Sequence, residues 1–141
     1  MNKNGKIIFI EDDKDDQDLL ADAYMELGYK NELLFFGDGS LALDYLISNP
    51  AEPFIVFSDI NMPNLNGMEL REKIRNNEDL RLKCIPYLFF STSAEQGYVI
   101  EAFSKSIQGF FVKPANFSDL KKLLKVIIDY WEECVSPNYV K

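Results

Sequence analysis

The sequence predicts an α/β fold, a doubly wound sheet of five parallel strands with helices on both faces. Three observations carry that expectation. Five short runs rich in Ile, Leu, Val and Phe read as strands, and the run over 54–57 reads as one buried on both sides. The segments between them place apolar residues at helical spacing, so strand and helix alternate from end to end. Four of the runs also close in polar residues at their C-terminal edge, which is where open parallel sheets bind ligands.

The elements follow in order. Residues 6–10 (KIIFI) form the first strand and lead into Glu11-Asp12-Asp13. Leu19, Leu20, Ala23, Tyr24 and Leu27 then mark a helix that stops at Gly28. Residues 32–36 (ELLFF) read as the second strand, and Ser40 is placed to cap a helix over Leu41, Ala42, Tyr45 and Leu46 that ends at Asn49-Pro50. The third strand, Phe54-Ile55-Val56-Phe57, delivers Ser58 and Asp59. A helix from about Gly67 to Arg75 follows, and residues 76–86 read as a longer connection. Tyr87-Leu88-Phe89-Phe90 is the fourth strand and delivers Ser91 and Thr92. A helix over residues 94–106 leads to the fifth strand from Gly109, which delivers Lys113-Pro114. Asn116 or Ser118 caps a last helix through Glu133, striped by Leu120, Leu123, Leu124, Ile127, Ile128 and Trp131. Residues 136–141 read as a frayed tail.

Composition narrows the function. The 141 residues suit one domain, with a core over about 6–133 and a short tail at 134–141; 47% are hydrophobic and 27% charged, as in soluble globular proteins. With 23 acids against 15 bases the net charge is −8, which argues against direct contact with nucleic acid. The chain has no histidine, which excludes histidine-based catalysis and makes zinc a poor fit. Cys84 and Cys134 lack metal-ligand spacing and are expected as free thiols in a cytoplasmic protein. No apolar stretch approaches the ~18 residues that would span a membrane.

Convergence of the strand ends would bring Glu11, Asp12 and Asp59 together. Like charges that close raise one another's pKa unless a cation neutralises them. Magnesium suits such a site, since it takes one or two carboxylates and keeps waters and phosphate oxygens. The remaining acids, Asp13, Asp15, Asp16 and Asp18, read as solvated charge at a helix start. A carboxylate beside a cation and a lysine can attack a phosphoryl group, which assigns that role to Asp59. Lys113 would pair with a phosphoryl oxygen and Ser91 would donate to another. Pro114 predicts a cis Lys113–Pro114 bond that aims the lysine over the sheet.

With FIEDD, FSDINMPNLNG, PYLFFSTS and FFVKP in this order and spacing, the chain resembles the receiver domain of bacterial response regulators. The match runs from about Lys6 to Glu133. The resemblance implies the flavodoxin-like (βα)5 topology with strand order 2-1-3-4-5, an order carried over from the family. It makes Asp59 the phosphorylated aspartate, and Glu11 and Asp12 the acidic pair that holds magnesium. It adds the backbone carbonyl of Asn61 to the metal ligands, Lys113 with Pro114 to the phosphoryl site, and Ser91 and Phe110 as the switch pair. Thr92 stands where the family often has alanine, which narrows the pocket entrance. Asn61 and Ser93 fall at the two positions that tune dephosphorylation, and Met62-Pro63 with Gly67 match the turn that shapes the site.

The resemblance further implies a phosphoryl donor, either a sensor histidine kinase or a histidine phosphotransfer protein. Stand-alone receivers served by phytochrome-like or hybrid kinases share the overall plan. Output is expected through protein contact, on the face of the predicted fourth helix, fifth strand and fifth helix. Tyr130, Trp131 and Tyr139 could form a homodimer patch, although capping of the last helix against the core is the favoured reading. Two alternatives remain in view: an interaction-only receiver that never carries phosphate, and a haloacid-dehalogenase-type phosphatase. The latter expects a second acid two residues past its nucleophile, where this chain has Asn61.

Overall fold

A computed structural model describes residues 1–92 and 95–137 of the chain. Among them are five strands, β1 (Ile7–Ile10), β2 (Leu33–Phe36), β3 (Ile55–Ser58), β4 (Tyr87–Ser91) and β5 (Gly109–Val112). Six helices accompany them: α1 (Lys14–Leu27), α2 (Gly39–Ser48), α3 (Gly67–Asn76), α4 (Glu78–Leu82), α5 (Gln96–Ser104) and α6 (Phe117–Glu133). The strands pair in the order β2-β1-β3-β4-β5, all parallel, as the fold class and the resemblance require.

Period-two alternation sorts the apolar runs onto two faces. Ile7, Phe9, Ile55, Phe57, Leu88 and Phe90 pack toward α1 and α6. Ile8, Ile10, Val56, Tyr87 and Phe89 pack toward the helices between α2 and α5. Covering both faces explains why the strands read as unbroken hydrophobic runs. Rings cross the first face as a row, with Phe9 stacked on Phe57 at 4.6 Å and on Phe35 at 5.5 Å, and Phe90 edge-on to Phe57 at 5.9 Å. Truncating a ring as enclosed as Phe57 to alanine removes about 3–5 kcal/mol of stability. The sheet is therefore a rigid platform for whatever its strand ends carry.

Several local expectations are corrected. The connection after α3 contains a short helix, because Asn77 closes α3 and accepts from the Leu80 N–H at 3.1 Å while Leu80 anchors in the core. Asp38, not Ser40, caps α2, accepting the Ser40 N–H at 2.7 Å. The described peptide bonds are all trans, so Lys113–Pro114 is not cis. Trans is the cheaper isomer by about 0.5–1 kcal/mol, and Lys113 reaches its carboxylate partners from it. Ser136 is not frayed: it is buried, and its hydroxyl donates to the Met1 carbonyl at 2.8 Å. Asn116 is the cap of α6. Trp131 packs against the core while Tyr130 is 62% exposed and rests edge-on against it. Ser93 and Tyr139 lie outside the described residues.

Candidate functional site: a carboxylate cluster around one lysine

Register builds the site. Ile10 lies opposite Ser58, so the next residues, Glu11 and Asp59, emerge side by side at the C-terminal edge. The ladder runs one step further at both positions. The Glu11 N–H donates to the Phe36 carbonyl at 2.8 Å, and the Asp59 N–H to the Ile10 carbonyl at 2.9 Å. On the other side Ser91 lies opposite Val112, and the Lys113 N–H donates to the Ser91 carbonyl at 2.8 Å. Four chain segments thus leave the sheet with fixed backbones.

Lys113 gathers their side chains. Its ammonium bonds Glu11 directly, lies 3.4 Å from Asp59 Oδ2 and 3.5 Å from Asp16 Oδ2, and is about nine-tenths buried. Asp59 also accepts the Ile60 N–H at 2.7 Å, and Glu11 accepts the Asp13 N–H at 3.2 Å. Glu11, Asp12 and Asp59 each offer an oxygen, and these oxygens lie within 4.8 Å of one another. An octahedral ion with ~2.1 Å bonds spans about 4.2 Å between opposite ligands, so an all-oxygen set of this size suits a hard divalent cation. The electrostatics agree. Burial pushes Glu11 up to about 7, with the Asp59 charge adding to the rise and Lys113 opposing it. Burial lowers the Lys113 pKa, but its bond to Glu11 and the charges of Asp59, Glu11 and Asp16 more than offset that and leave it raised.

The loop after Asp59 is held by close packing. A Cβ on Gly67 would sit 2.2 Å from the Asp59 carbonyl oxygen, and one on Gly39 would sit 2.1 Å from the Leu65 carbonyl oxygen. Glycine at both positions lets α3 and α2 abut the loop. Asn64 takes a positive φ of 63° and bonds Asp38, while Asn66 caps α3 in a capping box with Glu69. The Asp59 carbonyl accepts from Ser58 Oγ and the Ile60 carbonyl from the Gly67 N–H, which leaves the exposed Asn61 with the next oxygen along.

The remaining sequence-derived residues take distinct places. Ser91 is buried at the end of β4. Thr92 is exposed and, with Asp16, Lys113 and Pro114, lines an adjacent cleft of about 320 Å³. Phe110 is half-buried against Phe89, with ring centroids 5.9 Å apart. Asp16 corrects the reading of it as merely solvated. Asp13 accepts its N–H and fixes the start of α1, so the first turn carries Asp16 toward Lys113 and Gln17 onto the Glu11 carbonyl. The cap signal could have placed both on the first turn, but not the approach of Asp16 to a lysine 97 positions away.

A parallel α/β sheet whose C-terminal edge gathers oxygen ligands beside a buried lysine has the donor set to hold a hard cation together with an anionic group. The model of the response regulator receiver domain matches residues 7–125, and the chain belongs to that family. The chemotaxis protein CheY-3 of Vibrio cholerae is 31% identical over 92% of this chain and 95% of its own. The phosphorylated cyanobacterial phytochrome response regulator RcpA superposes with a TM-score of 0.83 at 27% identity, covering 94% of this chain and 99% of that one. The Mn(2+)-bound form of the response regulator Rcp1, from Synechocystis, gives 0.79 at 28% identity over 93% and 97%. No helix among the described residues is long and apolar enough to cross a membrane.

Proposed function

We propose that this chain is a stand-alone response regulator that takes a phosphoryl group onto Asp59 from a phosphohistidine donor and switches a protein-binding face. The observation that carries this reading is Lys113, buried between Glu11 and Asp59 at the end of the sheet. Magnesium, held by Glu11, Asp12, Asp59 and the Asn61 carbonyl, supplies positive charge for the transferring phosphoryl oxygens. The Asp59 carboxylate attacks phosphorus; the new O–P bond forms as the donor's N–P bond breaks, and the donor imidazole keeps the electron pair. Lys113 stays protonated and pairs with a phosphoryl oxygen, and Ser91 donates to another. The cleft beside Thr92 and Pro114 is the open approach to the lysine.

The phosphoryl group adds roughly −2 charge, which draws Ser91 and lets Phe110 turn inward. The face that then changes is α5–β5–α6; the additional short helix moves the predicted fourth and fifth helices to α5 and α6. Tyr98, Ile100, Phe103 and Val112 are exposed there, as a target-binding surface requires. RcpA, a phytochrome response regulator, supports a phytochrome-like histidine kinase as donor. The stand-alone reading rests on the near-complete coverage of CheY-3 and RcpA by this chain. Intact-mass spectrometry after incubation with acetyl phosphate tests the acceptor. The wild type should gain about 80 Da, one phosphoryl group, only with magnesium, and Asp59→Asn should gain nothing. Equal labelling of both proteins would remove Asp59 from the role.

A further inference from the structure

The opposite end of the sheet holds a concave site of the other charge. The chain has three arginines, Arg71, Arg75 and Arg81, and all three line one cleft of about 270 Å³. They arrive from two helices, Arg71 and Arg75 from α3 and Arg81 from α4. Leu80, Ile85 and Trp131 supply apolar wall. Among the described residues every ion pair is made by a lysine or the N-terminus, and none by an arginine. None of the three guanidiniums forms an ion pair here, although the Glu72 charge acts on Arg71 and Arg75, so in a chain of net charge −8 this hollow holds an excess of positive charge.

Folding accounts for one of the three. Arg71 is 9% exposed and donates to the carbonyls of Lys105 at 3.0 Å and Ser106 at 2.6 Å, tying α3 to the turn after α5. Those bonds use two of its five N–H donors. Burial lowers its pKa, Tyr87 and Glu72 oppose that, and the Arg75 charge adds to it, so the two cations are close enough to repel. Arg75 and Arg81 are exposed and no such bond explains their convergence.

We propose that this cleft binds a small organic anion that joins a flat apolar body to a carboxylate or phosphate group. Guanidinium forks match both groups in bidentate geometry, and the Trp131 side of the cleft covers the apolar body. The volume falls just below the usual range of ligand pockets, about 300–1,000 Å³, which limits the ligand to one or two rings.

The protein carries its own reporters. Trp131 is the chain's single tryptophan, and the exposed thiol of Cys84 lines the same cleft. Phenyl phosphate and benzoate are the probes, inorganic phosphate the control, read by Trp131 emission and by Cys84 alkylation rate from peptide mass spectrometry. A saturable change in emission and slowed Cys84 alkylation are expected with at least one organic probe. Inorganic phosphate should bind at least about tenfold more weakly, and the R75Q/R81Q double variant should lose at least about tenfold in affinity at unchanged Tm. Whichever organic probe binds better assigns the acid group. No saturable response at about 10 mM probe in low salt, or an undiminished response in the double variant, would overturn the site, since an affinity that weak falls short of what a bidentate contact supplies. Equal binding of inorganic phosphate would overturn the organic ligand.

Discussion

At the C-terminal edge of the sheet three carboxylates surround one ammonium with Asp12 beside them, whereas at the opposite edge three guanidiniums share a cleft and none of them forms an ion pair. Between the two lies a body whose buried side-chain polar atoms all have partners among the described residues. The difference shows what a parallel sheet does with charge. Register aligns the strand ends, so acids accumulate at the C-terminal edge, whereas the arginines reach the other end from α3 and α4. An edge left unbalanced suits a ligand of the missing sign, as proposed above for a cation at the acidic end and an organic anion at the basic one.

The largest expected effect comes from breaking the acidic edge mechanically. In Gly67→Ala the new Cβ falls 2.2 Å from the Asp59 carbonyl oxygen and 2.7 Å from a Phe89 ring carbon, and backbone cannot yield cheaply. A loss of about 3 kcal/mol is expected in denaturant unfolding, together with poorer phosphoryl uptake. The basic edge should be untouched, so Trp131 should respond to organic anions as before.

Removing the central cation from the acidic edge sharpens the contrast. Lys113→Gln should slow labelling by acetyl phosphate roughly a hundredfold, since a donor aimed at developing charge is lost. Its magnesium affinity, read by titration calorimetry, should hold or rise, because the carboxylates no longer share a bound ammonium. Weaker magnesium binding in this variant would mean that Lys113 builds the site more than it neutralises it.

The smallest effect is a pH dependence. Glu11 has its pKa raised from 4.5 to about 7, chiefly by burial. The folded chain therefore holds a proton that the unfolded chain releases. That contribution is fully present below about 4.5 and is lost as pH rises through about 7. Magnesium displaces the proton, so the rise in Tm on adding it should grow between pH 5 and pH 8. Thermal melts with and without magnesium across this range check the sign; a magnesium effect independent of pH would show that Glu11 is already ionised.

Much of this was legible in the sequence. Buried strands announce themselves as unbroken apolar runs, and a run that closes in Glu11-Asp12, Asp59 or Lys113 places those residues at one edge once the strands are parallel. Features set by contacts distant in sequence were not legible. The approach of Asp16 to Lys113 spans 97 positions, and its residue type fits a solvated helix start equally well. The short α4 has one buried anchor, Leu80, too little for a periodic signal. A Pro after a strand raises the odds of a cis bond without requiring one, and here the trans form reaches the carboxylates. Arg71, Arg75 and Arg81 read singly as surface charge, and their convergence needs α3, α4 and the turn after α5 in place.

The most direct test of the central claim is chemical trapping of the phosphorylated residue. Protein labelled with acetyl phosphate and magnesium would be treated with borohydride, which reduces an acyl phosphate to an alcohol, and mapped by tandem mass spectrometry. Reduction is expected at Asp59 alone and should be abolished by omitting magnesium. Reduction at Asp12, Asp16 or another carboxylate, with Asp59 unmodified, would contradict it.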